Sequence, residues 1–155
     1  MQSINWGAAI RASLIAGVVF LILELALVAA VGGESMWAPP RMIGAIILGQ
    51  DVLPPPATFH LGSFVAAMIV HFGLAVIYGV IFALVTDRAA WTLGVATGVG
   101  LLFGLAIYAV NFYGMTAFLP WFSMARNGIS IFAHAAFWLV LGYSYRKFAP
   151  CVVPA

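Results

Sequence analysis

Residues 91–113 read WTLGVATGVGLLFGLAIYAVNFY and contain no Asp, Glu, Lys or Arg. An α-helix rises 1.5 Å per residue, so a helix of this length covers about 35 Å. The hydrocarbon core of a bilayer is about 30 Å thick. The stretch therefore predicts a helix that spans a membrane.

The composition of the whole chain indicates the same environment. Its 155 residues are 65% hydrophobic and 6% charged, whereas a soluble domain carries about 25% charged residues. Six basic and four acidic residues give a net charge of +2, which is too small and too scattered to bind nucleic acid. We therefore expect a protein whose partner is the lipid bilayer, with no nucleic-acid partner. A single cysteine, Cys151, excludes an internal disulfide and leaves its redox role open.

Three further stretches are long and apolar enough to cross a bilayer. The four predicted spans are residues 12–31, 61–86, 91–113 and 128–145. We read Asp87 and Arg88 as a tight turn between the second and third spans. The sequence thus predicts one all-α transmembrane domain, residues 1–155, that forms an integral membrane four-helix bundle.

A shorter apolar helix is predicted at about residues 41–50, in the connection after the first span. About ten residues are too few to cross the bilayer. Pro39 and Pro40 can open a helix, and the prolines from Pro54 to Pro56 must stop it. We expect an interfacial or re-entrant helix that either packs over the outer mouth of the bundle or lies flat among the lipid headgroups.

Basic residues near the span ends predict the orientation, because Lys and Arg are retained on the cytoplasmic side. Four basic residues flank one side of the bundle and two flank the other. The four are Arg11, Arg88, Arg146 and Lys147, and the two are Arg41 and Arg126. We therefore expect a multi-pass protein of the bacterial inner membrane with both termini in the cytoplasm.

Small residues at i, i+4 spacing predict where helices approach each other closely. The pairs are Ser13 with Gly17, Gly79 with Ala83, Gly94 with Gly98, and Gly100 with Gly104. The last two pairs give the third span two glycine faces, so this helix is expected to have two partners. We expect a homo-oligomer, or a subunit of a membrane complex, with Gly100 and Gly104 in its interface.

Each span carries its polar side chains on one face, which predicts a shared intramembrane site in the outer half of the bundle. The expected members are Glu24, His71, Tyr108, Asn111 and His134, and the residues expected at its outer mouth are His60, Arg41 and Arg126. A charged side chain at bilayer depth costs about 2.5–3.5 kcal/mol on insertion scales. Glu24 is therefore expected either to pair with a histidine or to carry a proton.

Three functions fit such a site, and none of them is that of an enzyme. The first is a transport-like or accessory role in which the titratable groups handle protons or a small solute. In the second, His71 and His134 ligate a haem iron, or with Glu24 a transition metal, in an electron-transfer protein or complex subunit. In the third, the polar residues only hold the helices of a structural subunit together. The sequence names neither a solute nor a cofactor.

Several landmarks resemble those of the YagU-like family of small bacterial inner-membrane proteins. They are Pro39-Pro40-Arg41 after the first span, His71 early in the second, Trp91 at the start of a glycine-rich third, Pro120-Trp121 before the fourth, and His134 with Trp138 within it. The resemblance covers about residues 34–147. It implies a polytopic inner-membrane protein and no particular activity. In the family the first outer loop is longer, and Glu24 has no obvious counterpart.

Overall fold

The computed structural model describes residues 4–150, so Cys151 lies outside the described residues. The described residues form helices and contain no strand. The helices are α1 (Trp6–Ala30), α2 (Ala38–Leu48), α3 (Leu61–Arg88), α4 (Leu93–Ala109) and α5 (Gly128–Phe148). A π-helical turn, Val110–Gly114, prolongs α4, and 3-10 turns follow at Met115–Ala117 and Pro120–Ala125.

Four of these helices are long and apolar enough to cross a membrane. They are α1, α3, α5, and α4 with its prolongation to Ala117. Large apolar side chains face outward along them, such as Ile22, Ile69 and Leu102, each more than 60% exposed. Such a surface suits lipid as its solvent. The predicted all-α membrane four-helix bundle is confirmed, and the chain is a multi-pass membrane protein.

Some helix ends differ from the predicted ones. The first span begins six residues earlier, because the Asn5 side chain accepts a hydrogen bond from Ala8 N at 2.9 Å and caps α1. The predicted turn at Asp87 and Arg88 is wrong, since α3 continues through both. The chain turns at Ala89 and Ala90, directly after α3 ends, and Ala90 adopts a φ of 50°. Spans three and four also extend a few residues beyond their predicted ends.

The bundle has two unlike ends. At the turn end, α1 begins, α5 ends, and residues 89–92 connect α3 to α4. At the opposite loop end lie α2 and the irregular segment between α4 and α5.

The small residues of α1 and α3 meet as their spacing predicts. A Cβ at Gly79 of α3 would overlap the Ser13 hydroxyl of α1, and a Cβ at Gly17 would lie 3.1 Å from the Phe72 ring. These positions let the two backbones approach closely, which is a main source of packing energy between helices in lipid.

The glycine face formed by Gly100 and Gly104 packs inside the chain. A Cβ at Gly100 would lie 2.6 Å from the Trp138 carbonyl oxygen of α5. The expectation that this face joins a second copy is therefore wrong, because α5 already occupies it. The other glycine face is open: within the described residues, no neighbouring atom lies within 4 Å of a Cβ built at Gly94 or Gly98.

Helices α3 and α4 barely touch, although a short turn joins them. Near the turn end, aromatic rings fill the space between them. The Phe82 ring of α3 lies 6.1 Å from Phe103 of α4 and 5.8 Å from Trp138 of α5. We call Phe82, Phe103 and Trp138 the aromatic wedge. Beyond the wedge, toward the loop end, the gap is open.

Helix α2 packs against α3. Gly44 rests against α3, where a Cβ would lie 2.6 Å from the Ser63 carbonyl oxygen. Trp121 Nε1 donates to the Met42 carbonyl at 2.9 Å, which joins α2 to the segment between α4 and α5. One face remains outward, since Ile47 is 55% exposed. Of the two predicted arrangements, the contacts with α3 agree with packing against the bundle, although the helix is not buried on every side.

A buried ion pair closes the turn end. Arg146 Nη1 of α5 donates to Asp87 Oδ1 of α3 at 2.8 Å, and both side chains are almost inaccessible. Arg146 Nη2 donates to the Thr86 carbonyl at 2.8 Å, and the Tyr145 hydroxyl donates to Asp87 Oδ2. These bonds join two spans that otherwise share few contacts.

Candidate functional site

His134 of α5 lies at the centre of the predicted site. Its Nδ1 is 2.8 Å from the Ser130 carbonyl oxygen, one helical turn earlier. A carbonyl can only accept, so Nδ1 carries a proton, and Nε2 is the acceptor of the neutral ring. Asn111 Nδ2 lies 3.4 Å from that Nε2. Both ring nitrogens are thus engaged within the chain.

Asn111 reaches His134 from the π-helical turn that prolongs α4. Turns of this kind occur mostly as single interruptions of α-helices, frequently at functional sites, and they redirect the side chains that follow. The Oδ1 atom of Asn111 accepts from the Tyr78 hydroxyl of α3 at 3.4 Å. One amide therefore connects α3 to α5 across the gap that α3 and α4 leave open.

Glu24 of α1 joins the same network through Ser130. The Ser130 hydroxyl donates to Glu24 Oε1 at 2.9 Å. Glu24 does not pair with a histidine, which was one of the two predicted alternatives. Its other oxygen, Oε2, is buried and has no hydrogen-bond partner among the described residues. Glu24 as a whole residue is only 8% exposed.

His71 is held apart from His134 by an aromatic ring. Its Nε2 donates to the Gly17 carbonyl at 2.9 Å. The Phe20 ring contacts both imidazoles, with centroid distances of 5.3 Å to His71 and 5.0 Å to His134. The two histidines belong to one cluster, but they do not bond to each other.

This geometry does not fit the haem or metal alternative. His71 and His134 do not face one shared point, because the Phe20 ring packs against both imidazoles where a haem plane would need room. Within residues 4–150, no group of three His, Cys, Asp or Glu side chains is placed to hold a metal ion.

Tyr108 completes the surroundings of His134. The centroid of its buried ring lies 5.7 Å from that of the His134 imidazole, and the centroid of the Phe112 ring lies 5.3 Å from the same imidazole. The five residues that the sequence predicts as a site are therefore brought together around His134, by direct bonds, ring contacts or one intervening side chain.

The three residues predicted at the outer mouth have other roles. His60 Nδ1 accepts from Ser63 N and caps α3. Arg41 donates to the Thr58 carbonyl at 2.9 Å, and Arg126 donates to the Phe112 carbonyl at 2.6 Å. None of the three is among the described residues that line the two cavities below. The prediction of a mouth built from them is wrong, because they hold the connecting segments in place.

A first cavity of about 260 Å³ occupies the gap between α3 and α4. Its walls are largely apolar, and α2 contributes Ile43 and Ile46 to them. The polar groups of the site are on one part of the lining, where His71, Tyr78, Asn111 and His134 face the cavity.

A second cavity, of about 440 Å³, lies nearer the loop end between α1, α2 and the segment before α5. Glu24 lines this cavity and does not line the first. The two cavities share the side chains Phe20, Ile43, Phe112 and Phe122, which form a partition between them.

Three contributors to the site lie outside the five predicted site residues, although two of them, Ser130 and Tyr78, lie on the predicted polar faces. Ser130 lies four residues before His134 on the same polar face, and Tyr78 lies seven residues after His71, so helical spacing pointed to both. Phe20 carries no polar signal, and only its position one turn before Glu24 indicates that it faces the site.

Comparison with known proteins places the chain in no family: no family model, no curated protein and no solved structure matches it. The resemblance to the YagU-like family stays a prediction.

Proposed function

We propose that this protein is a transport-like or accessory membrane component that binds a small, largely apolar solute with one hydrogen-bonding group. The observation that carries the proposal is the first cavity, which has apolar walls and a compact set of polar atoms. Small-molecule sites in proteins have this character, with few polar groups that orient a mostly apolar ligand.

The dimensions and chemistry of the cavity indicate the kind of solute. At about 260 Å³ it lies just below the usual range of small-molecule sites, roughly 300–1,000 Å³. The Asn111 amide can donate and accept, and so can the Tyr78 hydroxyl. Their mutual bond is long, at 3.4 Å, so a better placed partner can replace it. A carbonyl or hydroxyl group on an aliphatic body fits these features.

The position of the cavity supports entry from the membrane. It lies between two spans that barely touch, and apolar side chains line the gap. An apolar solute concentrates in the bilayer because its transfer from water is favourable. Lateral entry between α3 and α4 therefore needs no path through water.

The hydrogen-bond geometry favours a solute over a proton as the species that the site handles. The links from Tyr78 to Glu24 pass through the Asn111 amide and the Ser130 peptide carbonyl. Neither group releases and takes up protons as an imidazole or a carboxyl group does. A proton relay would need water at both interruptions.

The proposed location is the bacterial inner membrane, with the turn end and both termini in the cytoplasm. The distribution of basic residues supports this orientation. We also propose a homo-oligomer. The open face of α4 at Gly94 and Gly98 would contact the second copy, because α5 already covers the face at Gly100 and Gly104.

Photoaffinity labelling tests the binding proposal. The protein, in lipid nanodiscs, is irradiated with a long-chain alcohol that carries a diazirine, and the labelled peptides are located by mass spectrometry. We expect labelling of cavity-lining residues such as Leu74 and Ile107, and we expect excess unlabelled alcohol to suppress it. Labelling of lipid-facing residues should persist under the same excess, because partition into the bilayer does not saturate.

A pair of adjacent variants provides the control. Val70→Phe fills the first cavity, whereas Ile69→Phe adds the same ring on the lipid side of α3, where Ile69 is 63% exposed. Only Val70→Phe should abolish the suppressible labelling. Asn111→Leu should keep the shape but remove the preference for the alcohol over the matching alkane. Equal labelling in Val70→Phe and Ile69→Phe would overturn the proposal.

A further inference from the structure

The second cavity has a different chemical character from the first. Two carboxylates line it: Glu24 at its buried end and Glu34, an exposed residue, at its rim. The described lining includes no Lys, Arg or His. Arg41 and Arg126, the nearest cations in the connecting segments, donate to backbone carbonyls elsewhere. The described lining therefore combines two carboxyl side chains with mainly apolar ones and contains no basic side chain.

Glu24 has an unsatisfied oxygen at this cavity. Ser130 satisfies Oε1, while Oε2 is buried and without a partner among the described residues. The residue is 92% buried, since 8% of it is exposed. An ionised carboxylate in apolar surroundings requires a compensating charge or hydrogen bond. The oxygen that lacks one belongs to a side chain that lines the second cavity.

Aromatic rings complete the lining. Phe20, Phe112 and Phe122 form part of the cavity wall, and Phe112 and Phe122 pack against each other with a centroid distance of 5.9 Å. The faces of such rings attract cations, and an ammonium group with apolar substituents gains from this attraction because it is weakly hydrated.

We propose that the second cavity is a binding site for an organic ammonium ion, with Glu24 as its counter-ion and the phenylalanine rings as its apolar enclosure. Glu34 attracts the cation at the rim. The site is separate from the solute cavity of the proposed function, and it does not depend on that proposal.

Glu24 Oε2 has two other possible partners, a calcium ion and a proton. Ca²⁺ takes six to eight oxygen ligands, and only one buried carboxylate and one amide, Asn127, approach this space among the described residues. A proton on Oε2, the other predicted alternative for Glu24, would also complete the carboxyl group; a protonated Glu24 attracts no organic cation, so the titration below distinguishes the two. An organic cation accounts for the charge, the volume and the rings together.

Isothermal titration calorimetry with benzyltrimethylammonium tests the proposal on the full chain in dodecyl maltoside. We expect saturable binding of one cation per chain. Neopentylbenzene, the neutral isostere, should not displace it. Glu24→Gln should weaken binding by about tenfold or more, as expected for the loss of a charge-assisted contact. The amide can still accept from Ser130, so the fold should be retained.

Matched variants make the outcome decisive. Asp51→Asn removes an equal charge at an exposed position away from the cavity, and it should leave the affinity unchanged. Ala125→Phe narrows the cavity from a partly exposed turn, so it tests the site even where Glu24→Gln fails to fold. The proposal is overturned if the wild type shows no saturable binding, if neopentylbenzene competes, or if Ala125→Phe and folded Glu24→Gln bind normally.

Two lipid additions identify the source of the cation. Phosphatidylethanolamine carries an ammonium group in its headgroup, whereas phosphatidylglycerol does not. Weaker probe binding with the first lipid than with the second assigns a headgroup as the natural occupant. Equal binding assigns a free cation, and both results support the site.

Discussion

Asp87 and Arg146 form an ion pair that is removed from water at the turn end. Removing two charges from water is costly, and their attraction offsets the cost only when further hydrogen bonds satisfy them. Both oxygens of Asp87 accept a bond, from Arg146 and from Tyr145. Arg146 Nε has no partner among the described residues, so the pair is incomplete on the arginine side. Removal of one partner leaves the other charge buried and unpaired.

Arg146→Met should therefore lower the free energy of unfolding by about 3–5 kcal/mol, the usual cost of breaking a buried pair. Tyr145→Phe, which removes one hydrogen bond, should cost about 1 kcal/mol. Arg88→Met is the control, because Arg88 is exposed at the same end of α3. Reversible unfolding in mixed micelles measures all three. Equal stability of the Arg146 and Arg88 variants would show that the ion pair contributes nothing.

At the scale of the elements, the two glycine faces of α4 have opposite surroundings. Gly100 lies against the backbone of α5, while Gly98 faces open space in the described chain. The two positions are half a helical turn apart and have the same residue type, so they form a matched pair.

Gly100→Val should destabilise the bundle, because its side chain would overlap the Trp138 carbonyl oxygen. Overpacking of this kind costs about 1–3 kcal/mol. In the dissociated, monomeric chain, Gly98→Val should change the stability by less than about 0.5 kcal/mol, because nothing in the described chain lies against it. Thermal unfolding of the purified variants distinguishes them. If Gly98→Val proves the more harmful of the two, the packing of α4 on α5 is not the one described.

The sequence was sufficient to predict the spans and most of the polar faces, because length, hydropathy and helical spacing are local properties. It did not predict that α3 and α4 stay apart, because this depends on rings from three helices that meet only in the folded chain. From the sequence, Arg146 was interpreted only as a basic residue flanking a span. Its burial could not be predicted, because it depends on Asp87 from another span. The bonds that His71 and His134 donate to the Gly17 and Ser130 carbonyls could not be predicted either, because every residue has a carbonyl.

At the scale of the whole molecule, the orientation is the main untested prediction. The positive-inside rule acts while the chain inserts, before Arg146 is buried, so Arg146 counts with the other basic residues. We expect the turn end in the cytoplasm. In a Cys151→Ser background, a membrane-impermeant maleimide added outside cells should label Phe118→Cys at the loop end and spare Ala89→Cys at the turn end. The reverse pattern would invert the proposed topology.

The position of α2 makes the protein unequal in the two leaflets of a membrane. At the turn end the cross-section consists of four helices, while at the loop end α2 is added beside α3. The protein therefore displaces more lipid area on the loop side than on the turn side. Lipids deform to fit an embedded protein at a modest free-energy cost. An inclusion of this shape favours membrane that curves convexly toward its loop side, and many copies on one vesicle would share that preference.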